Sequence, residues 1–424
     1  MSQTFKVITL GCRTNQYESQ GYTDQLLSQG YVQVKEGEEA DLCIVNTCTV
    51  TEAADHSSRQ AIRQLIRKNP SAKVVVTGCA AEKDPESFLK IEGVSHLVSN
   101  KEKENLLPLV FPEESWPEFS IKQFEAHTRA FIKVQDGCNS FCTYCIIPYV
   151  RGRSRSRRLI DILKEVEALV SSGFREIVLT GINIGDFDGA PLDGEPPVRL
   201  SDLVRAVDEV PGVERIRISS IDPDEVDEDL IDAVLKGKNT CHSFHIVLQS
   251  GSNVILKRMN RKYTAQMFST AIESLRRASS DFTFTTDVIV GFPGESEADF
   301  EDTLSLMKEV RFAKVHMFPY SPRNKTRAAL YPNQVPQNII QERKQKVLQL
   351  AEETSFSLRA AYVGRKMKVL LETPVKEFPH LFSGHTDNFL PVWVEGKSLR
   401  SNEIVLVEML ENSPEGLKGK VHED

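Results

Sequence analysis

The chain has 424 residues, 40% of them hydrophobic and 26% charged, with a formal net charge of −8, a balance typical of globular proteins with roughly two to four domains. Bulk charge excludes a general attraction to nucleic acid, so any RNA contact has to come from a local basic patch. The opening MSQTFKVITLGC carries no basic or apolar leader and no apolar run reaches bilayer length. Eight cysteines in such a chain point to reduced thiols, a cytoplasmic location and no membrane partner.

In chain order, FKVITL (5–10), DLCIVN (41–46) and KVVVT (73–77) read as buried parallel strands, with helices near 16–29 and 52–68 between them. That pattern predicts an open parallel α/β domain over 1–120, ending in a linker, FPEESWPEF (111–119), marked by its two prolines. From 121 to 362 the alternation restarts. AFIKVQ (130–135), REIVLT (175–180), RIRISS (215–220), FHIVLQ (244–249), FTTDVIVG (284–291) and VHMFPY (315–320) predict six βα units, open or curled into part of a barrel. A charged helix near 337–361 follows. Residues 363–424 alternate apolar and polar, as in KMKVLLE, PVWVE and EIVLVEM, and predict a small antiparallel β-barrel.

Six of the eight cysteines fall at two kinds of place. Cys12, Cys48 and Cys79 each lie two residues beyond a predicted parallel strand of the first domain. In an open α/β sheet these ends share one edge, where ligands bind, so three dispersed thiols are expected to converge. Cys138, Cys142 and Cys145, spaced C-x3-C-x2-C, follow the first strand of the second domain, at the rim where parallel barrels place their chemistry. A cubane [4Fe–4S] cluster normally takes four cysteines, so three leave one iron open to a small molecule. The competing reading is a zinc site completed by His127 or a distant cysteine; structural zinc favours paired knuckles, which are absent here. Cys43, inside its strand, and Cys241 read as structural thiols.

GCNSFCTYCIIPYVRGRSRSR (137–157) resembles the cluster loop of radical S-adenosylmethionine (SAM) enzymes, and specifically of the methylthiotransferases. TLGCRTNQYES, VNTCTVTEAADHSSRQAIR and VTGC are similar to that group's N-terminal domain, and the last 60 or so residues to its TRAM domain. QYES, HTRAFIKVQDGC and NTCTVTEAADHSSRQAIR resemble the MtaB type, which acts on N6-threonylcarbamoyladenosine in tRNA. The resemblance implies a partial (βα)6 radical SAM barrel and two [4Fe–4S] clusters, one held by Cys138, Cys142 and Cys145 and an auxiliary one held by Cys12, Cys48 and Cys79. It also implies SAM as cofactor, cleaved at the first cluster, with sulfur from the second entering adenine C2 beside the anticodon. The partners implied are a tRNA anticodon stem-loop, an electron donor such as flavodoxin or ferredoxin, and a sulfur donor.

The same resemblance lays Tyr144 against the cofactor's adenine. Strand ends at Gly181 and Asn183 in TGINIG, Ser220, Gln249, and Gly291 and Pro293 in GFPGE are expected to line the cofactor site; GFPGE also reads as a plain strand-to-helix turn with Glu295 near the helix start. RGRSRSRR brings Arg151, Arg153, Arg155, Arg157 and Arg158 beside the cluster loop and is expected to face RNA, with LKRMNRKY (256–263) as a second basic segment. Residues 363–424 hold eight Lys+Arg against ten Asp+Glu, so their charge does not suggest RNA, and Phe382, Phe389 and Trp393 read mostly as core. The rival acceptors are isopentenyladenosine in tRNA and an aspartate of a ribosomal protein. The rival of another class is a non-catalytic zinc protein that binds RNA.

Overall fold

The computed structural model describes residues 3–35, 37–122, 128–376 and 378–422; His127, weighed above as a zinc ligand, lies outside them. The first sheet is five-stranded and wholly parallel. Thr4–Thr9, Val32–Gln33, Leu42–Thr47, Lys73–Gly78 and Val94–Leu97 take the order second, first, third, fourth, fifth. Helix Arg13–Ser28 covers one face, packing Tyr22 and Leu26 on Ile44 and Val75. Helix Glu52–Lys68 covers the other, packing Ile62 and Leu65 on Cys43, Val45 and Val74. Cover on both faces is why the Leu42–Thr47 strand is apolar without alternation, and why Cys43 is a core thiol. The two flanking strands escape sequence reading because Val32–Gln33 and Val94–Leu97 are too short to set up a pattern.

The predicted linker is instead a packed strap. Phe119 lies against the rings of Tyr17 and Tyr22, at 6.1 and 5.7 Å. A Cβ on Gly21 would stand 2.3 Å from that ring, so the helix needs glycine there. Beyond the strap, Ile121 and Tyr17 join the same core as the barrel strands. The first sheet and the barrel therefore bury surface together.

Arg129–Lys133, Glu176–Thr180, Arg215–Ile218, Ser243–Ile246, Thr283–Val290 and Lys314–Pro319 form the six parallel strands expected. The third strand breaks at Ser219. Its first part pairs with Glu176–Thr180 and its second, Ser220–Ile221, with Ser243–Ile246, which splits the partial barrel into two sheets. Helix Gln337–Ala360 leads to the last unit, a closed barrel of Lys366–Val375, Phe378–Thr386, Pro391–Glu395, Ile404–Ser413 and Gly416–Val421. Four of its pairings are antiparallel, while Pro391–Glu395 and Gly416–Val421 pair in parallel. This departs from the all-antiparallel expectation for a simple reason: an odd ring of strands cannot alternate direction all the way round.

This small barrel closes the floor of the larger one. Arg215 and Arg217 donate to the carbonyls of Lys368 (2.7 Å) and Asp387 (3.0 Å), and Asn388 donates to the Asp281 carbonyl at 3.0 Å. Phe389 stacks on His385 at 4.6 Å and lies under the guanidinium groups of Arg129 and Arg217, while Phe382 is core. No helix among the described residues is long and apolar enough to cross a membrane.

Candidate active site

The ends of three parallel strands of the first sheet bring Cys12, Cys48 and Cys79 together. Gly11 takes a φ of +96°, and a Cβ there would lie 2.6 Å from Cys48 Sγ, so the glycine before Cys12 is what lets Cys48 approach. Cys12 caps helix Arg13–Ser28, and its thiol donates to Asn15 Oδ1 at 3.7 Å. That oxygen also accepts from Arg151 Nη2 (2.5 Å), whose Nε donates to Cys79 Sγ at 3.3 Å. Asn100 Nδ2 stands 3.8 Å from the same sulfur. Burial first, then the Cys12 and Cys79 thiols nearby, push Cys48 up to about 11; burial likewise raises Cys79, against the opposing pull of Arg151.

The second trio lies on the loop after Arg129–Lys133. Gly137 has a φ of +73°, and a Cβ would lie 2.0 Å from the Arg153 carbonyl, so the loop closes only over glycine. The turn at 258–260 pins it: Thr143 donates from its amide to the Met259 carbonyl (2.9 Å) and from its hydroxyl to that of Arg258 (2.9 Å). Arg261 Nη1 donates to Cys142 Sγ at 3.0 Å, and the Ser140 amide to Cys138 Sγ at 3.4 Å. Burial, then Cys142, push Cys145 up to about 12. Neutral thiols of this kind must lose protons to bind metal, and the N–H groups aimed at Cys79, Cys138 and Cys142 suit the resulting thiolates. Among the described residues no three His, Cys, Asp or Glu side chains gather closely enough for one metal ion. Each place offers three thiols, a donor set that suits the irons of an iron–sulfur cluster.

The two trios adjoin. Cys79 packs on Ile146, the residue after Cys145, and on Val150. Between them lies a buried ion cluster: Arg151 Nη1 contacts Glu18 (3.0 Å) and Asp136 (2.8 Å), Lys103 pairs with the same two carboxylates, and Lys133 pairs with Glu104 at 2.6 Å. Burial alone would lift the Glu18 carboxyl, but Arg151, Lys103 and Lys133 outweigh it and bring it down to about 2. A second tie crosses between the units where Arg323, after the last barrel strand, holds Thr49 (2.6 Å) and Asp55 (2.5 Å) beyond Cys48.

Arg151 is a correction to the expected RNA patch. Its side chain is fully buried, because four acceptors converge on it from both units, and it touches no solvent. Arg157 also turns inward, to Tyr17 (2.8 Å) and Glu165 (2.6 Å). Arg153 and Arg158 are exposed; Arg155 is half-exposed and holds Asp136 at 2.8 Å. Arg153 lies 4.4 Å over the ring of Phe141, beside exposed Tyr149. In the second basic segment, Arg258 donates to the Pro293 carbonyl and Arg261 faces Cys142 and Asp222, so only Lys257 and Lys262 turn outward.

The strand ends expected to hold cofactor divide into two sets. Tyr144 lies edge-on to Phe292 (6.3 Å) near Cys142. Gln249 holds a φ of +62°, rare for a side-chain-bearing residue, with Oε1 buried and unpartnered; Ser219 Oγ, next to Ser220, and Tyr320 OH are likewise buried without partners. Three orphaned polar groups at barrel strand ends fit a polar ligand such as SAM. The chain itself engages the other set. Gln135 Oε1 accepts from Ile182 and Asn183 amides and abuts Gly181, while Asn183 Nδ2 holds Glu225 at 3.0 Å. A Cβ on Gly291 would meet Ile340 at 2.4 Å, and Glu295 pairs with Arg343 at 2.7 Å, tying the GFPGE turn to helix Gln337–Ala360. Packing accounts for that turn.

Residues 4–99 match the family described as Uncharacterized protein family UPF0004, and residues 132–307 match the Radical SAM superfamily. TsrM, a radical SAM methyltransferase from Kitasatospora setae solved with cobalamin and a [4Fe–4S] cluster, superposes with a TM-score of 0.58 at 14% identity, covering 78% of this chain and 77% of its own. That likeness concerns the fold. A threonylcarbamoyladenosine tRNA methylthiotransferase MtaB from Chlamydia pneumoniae is 49% identical over 99% of this chain and 98% of its own length. The chain belongs to the MtaB-type tRNA methylthiotransferases. A second MtaB, from Bacillus subtilis, is 37% identical over 95% of this chain and 92% of its own. In this MtaB-type chain, sequence reading missed Glu18, Lys103, Asp136 and Arg261, which surround the thiols. Glu18 lies in QYES, Asp136 in the QDGC run and Arg261 in LKRMNRKY, but nothing in those segments says that their side chains turn toward the thiols, and Lys103 lies in no motif at all.

Proposed function

We propose that this enzyme transfers a methylthio group to C2 of N6-threonylcarbamoyladenosine beside the anticodon of tRNA. The observation that carries the reading is the junction of two incomplete thiol trios, packed through Cys79 and Ile146, in a chain whose MtaB relatives match its whole length. Cys138, Cys142 and Cys145 would hold the radical SAM cluster, and Cys12, Cys48 and Cys79 the auxiliary cluster. When bound, these cofactors supply hydrogen abstraction from adenine C2 and the sulfur that replaces it. The chain's own residues position and protect. Tyr144, Ser219 and Gln249 orient SAM, and the floor sealed by Asp387–Phe389 keeps bulk water away from the reacting atoms. An electron donor of the flavodoxin or ferredoxin class and a separate sulfur donor complete the reaction.

Anaerobic turnover with SAM and reductant, on tRNA bearing either threonylcarbamoyladenosine or isopentenyladenosine, tests this by nucleoside mass spectrometry. The methylthio product is expected on the first substrate; a product confined to the second would sink the reading.

RNA docks, in this proposal, on Arg153, Arg155 and Arg158, with Phe141 and Tyr149 as stacking surfaces. The double variant Arg153→Ala, Arg158→Ala is expected to weaken tRNA binding and to lower the slope of log affinity against log salt by about two, roughly one for each phosphate no longer neutralised. Anisotropy titrations at several salt concentrations measure it, and an unchanged slope would remove these arginines from the interface.

A further inference from the structure

Arg13 follows Cys12 directly and opens the helix that lies along the first barrel strand. Its guanidinium carbon stands 5.6 Å from the centre of the Phe131 ring, on that strand. It also acts electrostatically on His316, on the sixth strand. Arg13 therefore reaches into the seam between the first and last strands of the partial barrel. The wall opposite is open. On Lys314–Pro319, Val315 and Met317 pack in the core, while Lys314, His316 and Phe318 are exposed. His316 lies beside His245 (5.8 Å between rings), and His245 Nε2 is 3.3 Å from Asp287.

Among the described residues, the ion pairs of this chamber leave Arg13 without a direct partner. Arg217 and Arg215 share Glu176, at 2.7 and 3.6 Å, and Arg129 holds Glu372 at 3.1 Å. Asp287 faces His245. Arg13, among the described residues, has no carboxylate within ion-pair distance and no hydrogen bond; its sole contact of this kind is the Phe131 ring. With Asp387, which acts on Arg217, four carboxylates face four arginines, yet none of the four stands within ion-pair distance of Arg13. A guanidinium is charged at neutral pH, and this one stands over an aromatic ring with no carboxylate close enough to compensate it. A cation in that state favours an anionic ligand with planar, two-oxygen geometry.

Resting on the function proposed above, we propose that Arg13 binds the free carboxylate of the substrate's threonylcarbamoyl group and so reads the N6 substituent. The geometry of the base supports this. C2 and C6 of adenine flank N1 and N6 stands on C6, so a base that offers C2 to sulfur near Cys12 extends its N6 substituent only a few atoms away. The residue after Cys12 is then well placed to meet the group's far end. An isopentenyl group offers no charge to such a residue, and an unmodified adenosine offers nothing.

The test uses the cluster-loaded enzyme and three anticodon stem-loop RNAs: one with the threonylcarbamoyl acid, one with its carboxylate capped as the methyl amide, and one unmodified. Binding is read by anaerobic fluorescence anisotropy, and iron content and circular dichroism confirm that each variant is loaded and folded. The wild type is expected to prefer the acid over the amide by about ten- to a hundredfold. Arg13→Gln should erase that preference while leaving amide binding unchanged, and Arg13→Lys should keep part of it. Three outcomes overturn the proposal: no preference in the wild type, full preference retained in Arg13→Gln, or an equal loss on all three RNAs, which would make Arg13 a phosphate contact. A wild type that modifies only isopentenyl RNA would instead sink the proposed function. These results are separable.

Discussion

A Cys142→Ala enzyme is expected to form neither methylthio nucleoside nor 5′-deoxyadenosine. Cys142 is the buried member of its trio and the one that Arg261 contacts, at 3.0 Å. Its loss leaves two thiols, too few to hold a cubane against exchange, and removes the acceptor of the Arg261 hydrogen bond. Outer partners of metal ligands alone account for ten- to hundredfold effects, so removing a ligand should cost at least about a hundredfold. Cys48→Ala provides the contrast. It disables the other trio, so methylthio product should vanish while SAM cleavage continues at a measurable rate. Both are followed by mass spectrometry of nucleosides and of 5′-deoxyadenosine after anaerobic turnover. Retained methylthiolation in either variant would show that three thiols are not required at that site.

The second large effect is on stability. Arg151→Met should destabilise the protein by about 3–5 kcal/mol, because it strips a buried charge-assisted hydrogen bond from both Glu18 and Asp136, and this exceeds any packing gained from methionine. Arg153→Met, two residues on and exposed, should change stability by less than about 0.5 kcal/mol. Arg151→Lys should fall between, keeping charge but losing the forked geometry that reaches Asn15, Glu18, Asp136 and Cys79 at once. Urea unfolding of the metal-free protein provides the measurement, since it separates the ion cluster from the metal. Equal midpoints for Arg151→Met and Arg153→Met would show that the buried network contributes nothing.

That contrast also shows where sequence reading reached its limit. Cys12, Cys48 and Cys79 were legible because a thiol after a buried parallel strand has one place to go, the carboxyl edge of the sheet. The six barrel strands were legible by the same apolar runs. Arg151 was not, since RGRSRSRR is uniform in composition and only the fold decides which guanidinium turns in; the decision falls to Asp136 and Glu18, 15 and 133 residues away. The strap at Phe119 was hidden because a proline-rich run looks like a spacer until its aromatic rings find Tyr17 and Tyr22. The parallel pair in the last barrel was hidden because alternation reports burial and not strand direction. Arg13 reads, in sequence, as an ordinary polar start to a helix.

The stopper formed by Asp387–Phe389 has a kinetic consequence. A vessel plugged at its base admits nothing from below, so nucleic acid and small molecules come and go by the rim and by the gap between the first and last strands. RNA seated on the rim narrows what is left for spent adenosyl fragments to leave by, and excess RNA should slow turnover by trapping what has already been used.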